Sequence, residues 1–397
     1  MSRRILVAHP SAELYGSDRM LLESVRALVA DRCGVTVAVP SEGPLVGVLR
    51  AAGADVVLVD TVVLRKSSWT PAGLLHLALV LVRALPRMVR LVHQVQPDLV
   101  YVNTLTLPAW LLAARLSGRP VVCHVHEAEQ GLPRPIAVAL HAPLLLAHLV
   151  LINSTSALAV VCAVLPRLRP KLRLLYNGVA GPEQEPRAPR AALTGPTQLV
   201  LIGRVAPRKG TDVALGALQV LRARGQDVRL ELVGDVFPGY EWYAAQLEAW
   251  VVEHELAEVV HFVGFEADVW PRLAASDIVL MPSRVEPFGN SAVEAALAQR
   301  PLVASAVQGL QEIVEHGRTG LLVRPDDPLA LADAAQELIQ DWPRAHALAL
   351  AARRDALRRF GTKEYARGLL RSLVECGLPS SGPRLPGPEQ TRAAQQS

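Results

Sequence analysis

Lysine is scarce in this 397-residue chain. Lys66, Lys171, Lys209 and Lys363 are four of its 41 basic residues, and the rest are arginine. With the abundant alanine and leucine, that bias reads as base composition, and it makes each lysine conspicuous. The four cysteines (Cys33, Cys123, Cys162, Cys376) include no close pair. That argues against a disulfide framework and a thiolate metal site, and fits a reducing cytosol. No run of 18 uncharged apolar residues occurs, so no membrane span is predicted. The apolar run in "MSRRILVAHPSAE" is too short for a signal peptide. A cytoplasmic protein is expected. There is no Asp-x-Asp pair and no His/Cys/Asp cluster at ligand spacing, so no metal is expected. No G-x-G-x-x-G follows a strand, which argues against a dinucleotide oxidoreductase. No cofactor and no nucleic-acid partner are expected.

Hydrophobic residues make up 51% of the chain and charged residues 20%, enough for the packed cores of two or three domains. Charge is uneven. Residues 1–180 hold 18 Lys/Arg against 10 Asp/Glu, a net of +8, and residues 181–397 hold 23 against 27, a net of −4. The halves therefore differ in task. Short β-branched runs alternate with helical patterns in each half, as in "RRILVAH", "VTVAVP" and "PVVCHVH", then "QLVLIGR", "VRLELVG" and "DIVLMPS". Such runs predict parallel strands covered on both faces. Two doubly wound α/β domains follow, at 1–180 and 199–360, facing across a cleft. The Pro-rich segment 181–198 reads as a linker, 361–377 as a helix able to return to the first domain, and 378–397 as a disordered tail.

The chemistry concentrates in two stretches. "SRVEPFGNSAVEAALAQ" places Glu286 on a turn after a strand and Glu294 on the helix that follows. Ligands of such sheets bind beyond the strands' carboxyl ends. Gly289 lets a ligand approach the backbone, and the helix start favours an anion such as phosphate. Two carboxylates beside an anion cradle outline a nucleotide-sugar site, one for ribose and one for the sugar. The plainer alternative is a capping box, with Ser291 as N-cap and Glu294 three residues on. "LIGRVAPRKGTDVALGAL" puts Arg204 and Lys209 on another loop at a strand's end. Arginine offers a fork for phosphate oxygens and lysine a mobile point charge. Fixed cations there stabilise a leaving pyrophosphate without a metal. Two solvated surface cations are the alternative.

"GRVAPRKG" and "EPFGNSAVEAALAQRPLVA" resemble the two signatures of the retaining glycosyltransferases of family 4, with the GT-B fold. Glu286 and Glu294 meet that family's E-x7-E spacing, and "GLQEIVEHGRTGLLVRPDD" is similar to its next segment. "HPSAELYGSDRM", "VVCHVHE" and "YNGV" resemble amino-terminal elements. The resemblance implies a sugar transferred with retention from a nucleoside diphosphate sugar to a glycan, lipid-linked or small-molecule acceptor. It implies that Arg204 and Lys209 hold the diphosphate, near Gly16 and Gly203. Glu286 then contacts the sugar hydroxyls beside Phe288, Gly289, Asn290 and Ser291, and Glu294 binds the ribose. The base stacks near Val263, Gly264 and Phe265, and His126 lies near the anomeric carbon or the sugar's primary hydroxyl. His124, two residues earlier on the same strand, is its rival for the cleft.

The chain departs from the family pattern in four places. Gly16-Ser17 replaces a Gly-Gly pair, Gln299 and Gln308 stand where glycines are usual, and Asn290 replaces a branched apolar residue. Alternative functions are a GT-B-fold nucleotide-sugar epimerase and a non-catalytic GT-B binding protein. Finally, His76, Arg83, Arg87, Arg90 and Gln94 form one basic stripe on an otherwise apolar helical segment, 73–96. Either it is the wetted edge of a core helix, or it rests on an anionic membrane surface at the inner face of the cell membrane.

Overall fold

The computed structural model describes residues 3–64, 71–127 and 131–379, with only the backbone given for 71–78. The amino-terminal half contains β1 (Arg4–Ala8), α1 (Gly16–Ala30), β2 (Gly34–Val39), α2 (Pro44–Ala51), β3 (Asp55–Leu58), α3 (Pro71–Val95), β4 (Leu99–Val102), α4 (Pro108–Leu116), β5 (Val121–Val125), α5 (Arg134–His141), β6 (Leu149–Ile152), α6 (Thr155–Val164) and β7 (Leu172–Leu174). The second half begins with β8 (Thr197–Ile202), α7 (Thr211–Ala223), β9 (Val228–Val233), α8 (Glu241–Glu253), β10 (Val260–Gly264), α9 (Trp270–Ala275) and β11 (Ile278–Met281). It continues with α10 (Asn290–Leu297), β12 (Leu302–Ser305), α11 (Leu310–Ile313), β13 (Leu321–Val323), α12 (Pro328–Gln340), α13 (Trp342–Arg359) and α14 (Thr362–Glu375).

Each half is one parallel sheet, ordered β3-β2-β1-β4-β5-β6-β7 and β10-β9-β8-β11-β12-β13. The inner strands β4, β6 and β11 are apolar and buried along their length because helices cover both faces. Leu6, Val100 and Val150 pack toward α3 and α4, while Ile5, Val37 and Leu151 pack toward α1 and α2. In the second sheet Leu230 and Leu280 face α7 and α12, and Val200 and Val279 face α10 and α13. Both sheets change winding direction at their centres, between β1 and β4 and between β8 and β11. Loops leaving the strands there part to opposite faces and open a crevice. Gly16 follows β1, Arg204 follows β8 and Glu286 follows β11, so the topology itself gathers these loops.

The halves are tied together. Glu312 accepts hydrogen bonds from the amides of Thr155 (2.9 Å) and Ser156 (3.0 Å), capping α6 from the other half. Asn177 donates to Asn290 Oδ1 at 2.8 Å. α14 crosses back: Tyr365, Leu369 and Leu373 join the core beneath α1, and the Tyr365 hydroxyl lies 2.6 Å from Ser24 Oγ. Leu378 is also buried in that core, at 2% exposure. Leu378 therefore does not belong to the tail expected from 378, because its side chain docks the chain at that position. Residues 380–397 lie outside the described residues. The linker expected at 181–198 gives up its last two residues, which pair as the start of β8.

Candidate functional site

The charged loop after β8 is a short 3-10 turn, Pro207–Lys209, closed by Gly210 at φ +69°. A Cβ at position 210 would lie 2.0 Å from the Pro282 carbonyl oxygen, so only glycine allows this loop to rest on the loop after β11. The Arg284 amide donates to the Arg208 carbonyl at 2.8 Å across the same seam. The contact places Lys209 against Glu286, and their side chains form an ion pair also approached by Ser283 Oγ at 3.3 Å. Both residues are nearly buried.

Burial would push the Glu286 carboxyl up. Attraction from Lys209 and Arg208 outweighs it, and the carboxyl sits below its ordinary range. Lys209 is pulled down by burial, with repulsion from Arg208 and Arg204 adding to it, and Glu286 offsets only part. Three cations thus crowd one carboxylate, and the surplus charge suits an anion. Arg204 is held between two ring faces, 4.6 Å from the Tyr15 centroid and 4.4 Å from that of Phe237.

α10 starts at Asn290 with Gly289 as its N-cap, at φ +115°, and a Cβ there would lie 2.7 Å from the Leu310 side chain. No side chain caps this helix. The capping-box alternative for Ser291 and Glu294 is therefore overturned. The glycine at 289 brings the helix start two residues earlier than the Ser-x-x-Glu pattern implies, and leaves the first-turn amides without a side-chain cap. Glu294 instead meets Arg19 of α1 at 3.0 Å, and Arg19 also donates to the Ala267 carbonyl at 2.7 Å. Burial raises the Glu294 carboxyl, and Arg19 opposes this only in part.

These groups line one cleft of about 460 Å³ between the halves. On it lie Gly16 and His126 from the first half, and Gly203, Arg204, Lys209 and Phe265 from the second. Glu286, Phe288, Gly289, Asn290, Ser291 and Glu294 complete the expected set. Val263 and Gly264 do not reach it. Val263 packs into the core beside α9, and Gly264 turns at φ +83° to bridge Gly234, so that only Phe265 of this trio projects to the cleft. His126 is the histidine at the cleft. His124, one pleat away, is fully buried with its Nδ1 2.6 Å from the Tyr101 hydroxyl. Gln299 and Gln308 adopt φ +56° and +36°. The chain keeps a left-handed backbone there without the glycine that usually relieves it.

Sequence reasoning passed over Tyr15, Arg19 and Arg208, which also line the cleft. Arg19 and Tyr15 flank Gly16-Ser17 closely, so that loop could have drawn attention to them. Their partners, Glu294 and Arg204, are about 190 or more residues away, and no local pattern links them.

Two family models match the chain: Glycosyltransferase Family 4 over residues 15–180 and Glycosyl transferases group 1 over residues 196–341. A glycogen synthase of Mycobacterium tuberculosis is 33% identical over 185 residues, which cover 46% of this chain and 43% of that protein. A D-inositol 3-phosphate glycosyltransferase of Stackebrandtia nassauensis is 32% identical over 289 residues, 66% of this chain and 64% of that protein. The matched regions thus span less than two thirds of these relatives' lengths. Among solved structures, Anabaena HepE in complex with UDP and glucose superposes with a TM-score of 0.80, at 24% identity, over 93% of this chain and 99% of that one. With both halves matched, and with a fold of two facing parallel-sheet domains, the chain belongs to the group 1, family 4 glycosyltransferases of the GT-B fold.

Proposed function

We propose that the protein transfers a sugar, with retention and without a metal, from a nucleoside diphosphate sugar bound in the cleft to a hydroxyl of a glycan or lipid-linked acceptor. The observation that carries this reading is the cluster of Arg204, Arg208 and Lys209 against a single carboxylate, Glu286, at the switch point of the second sheet. Such a cluster holds a diphosphate and stabilises the charge that grows on it as the sugar leaves. The first-turn amides of α10, free of a side-chain cap, give a further anion cradle. Glu286 takes the sugar's hydroxyls, Glu294 exchanges Arg19 for the ribose, and Phe265 offers the base a ring face. His126, neutral because burial holds its pKa near 3, lies beside the transferred sugar. The donor's own phosphate accepts the acceptor proton, so no enzyme nucleophile is required. HepE, crystallised with UDP and with UDP-glucose, makes uridine donors the first to try.

The test is a calorimetric screen of UDP-, GDP-, ADP- and TDP-sugars, followed by transfer assays in excess EDTA. A donor that binds and is turned over in chelator supports the reading. Binding without turnover to any acceptor or to water would favour a binding protein. Interconversion of the free sugar nucleotide would favour an epimerase.

For the acceptor side we infer contact with an anionic membrane surface through α3. Arg83, Arg87, Arg90 and Gln94 are exposed on it. Beside them Leu79 and Val82 are 53% and 73% exposed, while Ala84, Met88 and Val92 face the core. Arg87 also pairs with Asp60 at 2.9 Å. The side chain of His76 lies outside the described residues. No helix among the described residues is long and apolar enough to cross a membrane, so this contact is peripheral.

A further inference from the structure

Behind His126 runs a buried polar chain that the site as described does not use. His126 Nε2 lies 3.0 Å from Asn103 Oδ1. Asn103 Nδ2 lies 3.1 Å from His9 Nδ1, and His9 Nε2 lies 2.7 Å from Asp18 Oδ1. His9 and Asn103 are fully buried and Asp18 is 1% exposed. The four residues come from the ends of β1, β4 and β5 and the first turn of α1, so the first sheet's switch point assembles them.

The direction of each hydrogen bond is determined. Asn103 Nδ2 also faces the Ser17 carbonyl at 3.5 Å. A carbonyl only accepts, so the amide nitrogen must be on that side and Oδ1 must face His126. His126 Nε2 therefore donates to Oδ1. His9 Nδ1 accepts from Asn103, which leaves the His9 proton on Nε2, donated to Asp18. Asp18 is kept anionic despite burial, which alone would raise its carboxyl, by the His9 contact, by Ser11 Oγ at 2.5 Å and by the Tyr15 amide at 2.8 Å. All three links thus donate toward one buried negative charge. Bonds aligned in this way polarise one another. The other ring nitrogen, His126 Nδ1, is buried and has no hydrogen-bond partner among the described residues.

We propose that Asp18, His9 and Asn103 are positioning residues: they lock His126, which lines the cleft, as its neutral Nε2–H tautomer and relay the charge of Asp18 to it, leaving the imidazole ring electron-rich. This rests on the reading of His126 next to the transferred sugar. Glycosyl transfer passes through a transition state with positive charge at the anomeric carbon. An imidazolium at that place would oppose the charge, and an imidazole polarised by a remote carboxylate favours it. The wire secures the second state without exposing a carboxylate to the sugar. It also ties Ser17 and Tyr15, which flank Gly16, to the same anchor.

Two measurements test this. The first is tautomer assignment by long-range 1H–15N NMR on the whole protein, with His9→Asn and His126→Asn used to assign the two rings. Both should read as neutral Nε2–H at pH 7, and Asp18→Asn should shift the His126 nitrogens as well as those of His9. A His126 found as Nδ1–H or as imidazolium, or unmoved by Asp18→Asn, overturns the wire whatever the activity. The second is kinetics with UDP-glucose hydrolysis as the probe, or hydrolysis of the tightest donor from the screen. Asp18→Asn keeps the shape and removes the charge. It should lower kcat about 10-fold with donor KM unchanged, and Asp18→Glu should recover part of the loss. An unchanged kcat, or a loss confined to KM or to melting temperature, overturns the relay and leaves a structural network. Full activity in His126→Ala removes the reading of His126 on which the relay depends, while the NMR still reports on the wire itself.

Discussion

The two halves meet at one cleft but equip it differently. The second half supplies charge: Arg204, Arg208, Lys209 and Glu286 stand on two loops that touch through Gly210 and Pro282. The first half supplies Gly16, a neutral His126 and a buried anchor, Asp18, that never reaches the cleft surface. Its Arg19 reaches across the cleft to pair with Glu294. The difference follows from where the atoms must go. A diphosphate is gripped by cations in contact with it, whereas a developing cation at the sugar is better served by a dipole than by a mobile charge. A donor-gripping half and a sugar-facing half can thus share a fold and differ in electrostatics.

The largest effect should come from the grip. Lys209→Ala and Glu286→Gln should each lower kcat by roughly 10²-fold or more, the range typical of a fixed electrostatic group, with circular dichroism unchanged. Near-normal turnover in both would end the assignment of charge chemistry to the second half. Next comes the surface of the first half. Replacing Arg83, Arg87 and Arg90 with Ser should cut flotation with anionic vesicles by roughly 10–10²-fold at low salt, at about 1 kcal/mol per cation near the surface. If the wild type ignores such vesicles, α3 is a wetted edge and the acceptor is soluble.

Smaller effects sharpen the contrast within the second half. Gly289→Ala should destabilise the fold by about 1–3 kcal/mol, since alanine must hold a left-handed conformation and push Leu310 aside; chemical unfolding would show it. Last, the two carboxylates eight residues apart should titrate oppositely. Glu286 has a lowered pKa in the fold, so its stabilisation is present above the unfolded value near 4.5 and is lost as pH falls through the folded value. Glu294 has a raised pKa, so its ionisation costs stability that appears as pH rises past the unfolded value. Melting curves from pH 3 to 8 should therefore show Glu286→Gln flattening the acid limb and Glu294→Gln lifting the neutral one. The same sign in both variants would contradict the distinct environments.

Several features are legible in the sequence. Alternating apolar runs and helical patterns specify parallel sheets because buried strands need apolar residues on both faces. Arg204, Lys209, Glu286 and Glu294 stood out because loops at strand ends rarely carry such a set, and their motif neighbours are adjacent in the chain. The spacing Ser291 to Glu294 left two readings open, because a capping box and an uncapped helix start share the same letters. Only the backbone at Gly289 separates them.

The sequence by itself determined the elements, the two halves and the charged loops of the second, since each depends on residues within a few positions of one another. The tertiary structure decided what those charges face. Arg19 meets Glu294 across 275 residues, and Asn103 joins His9 across 94 and His126 across 23. Such contacts depend on which strands become neighbours and on how the sheet twists. A periodic pattern records which residues turn inward, but not which inward-facing residue of another strand they will meet. For that reason the charged loops of the second half could be read from the chain, and the wire behind His126 could not.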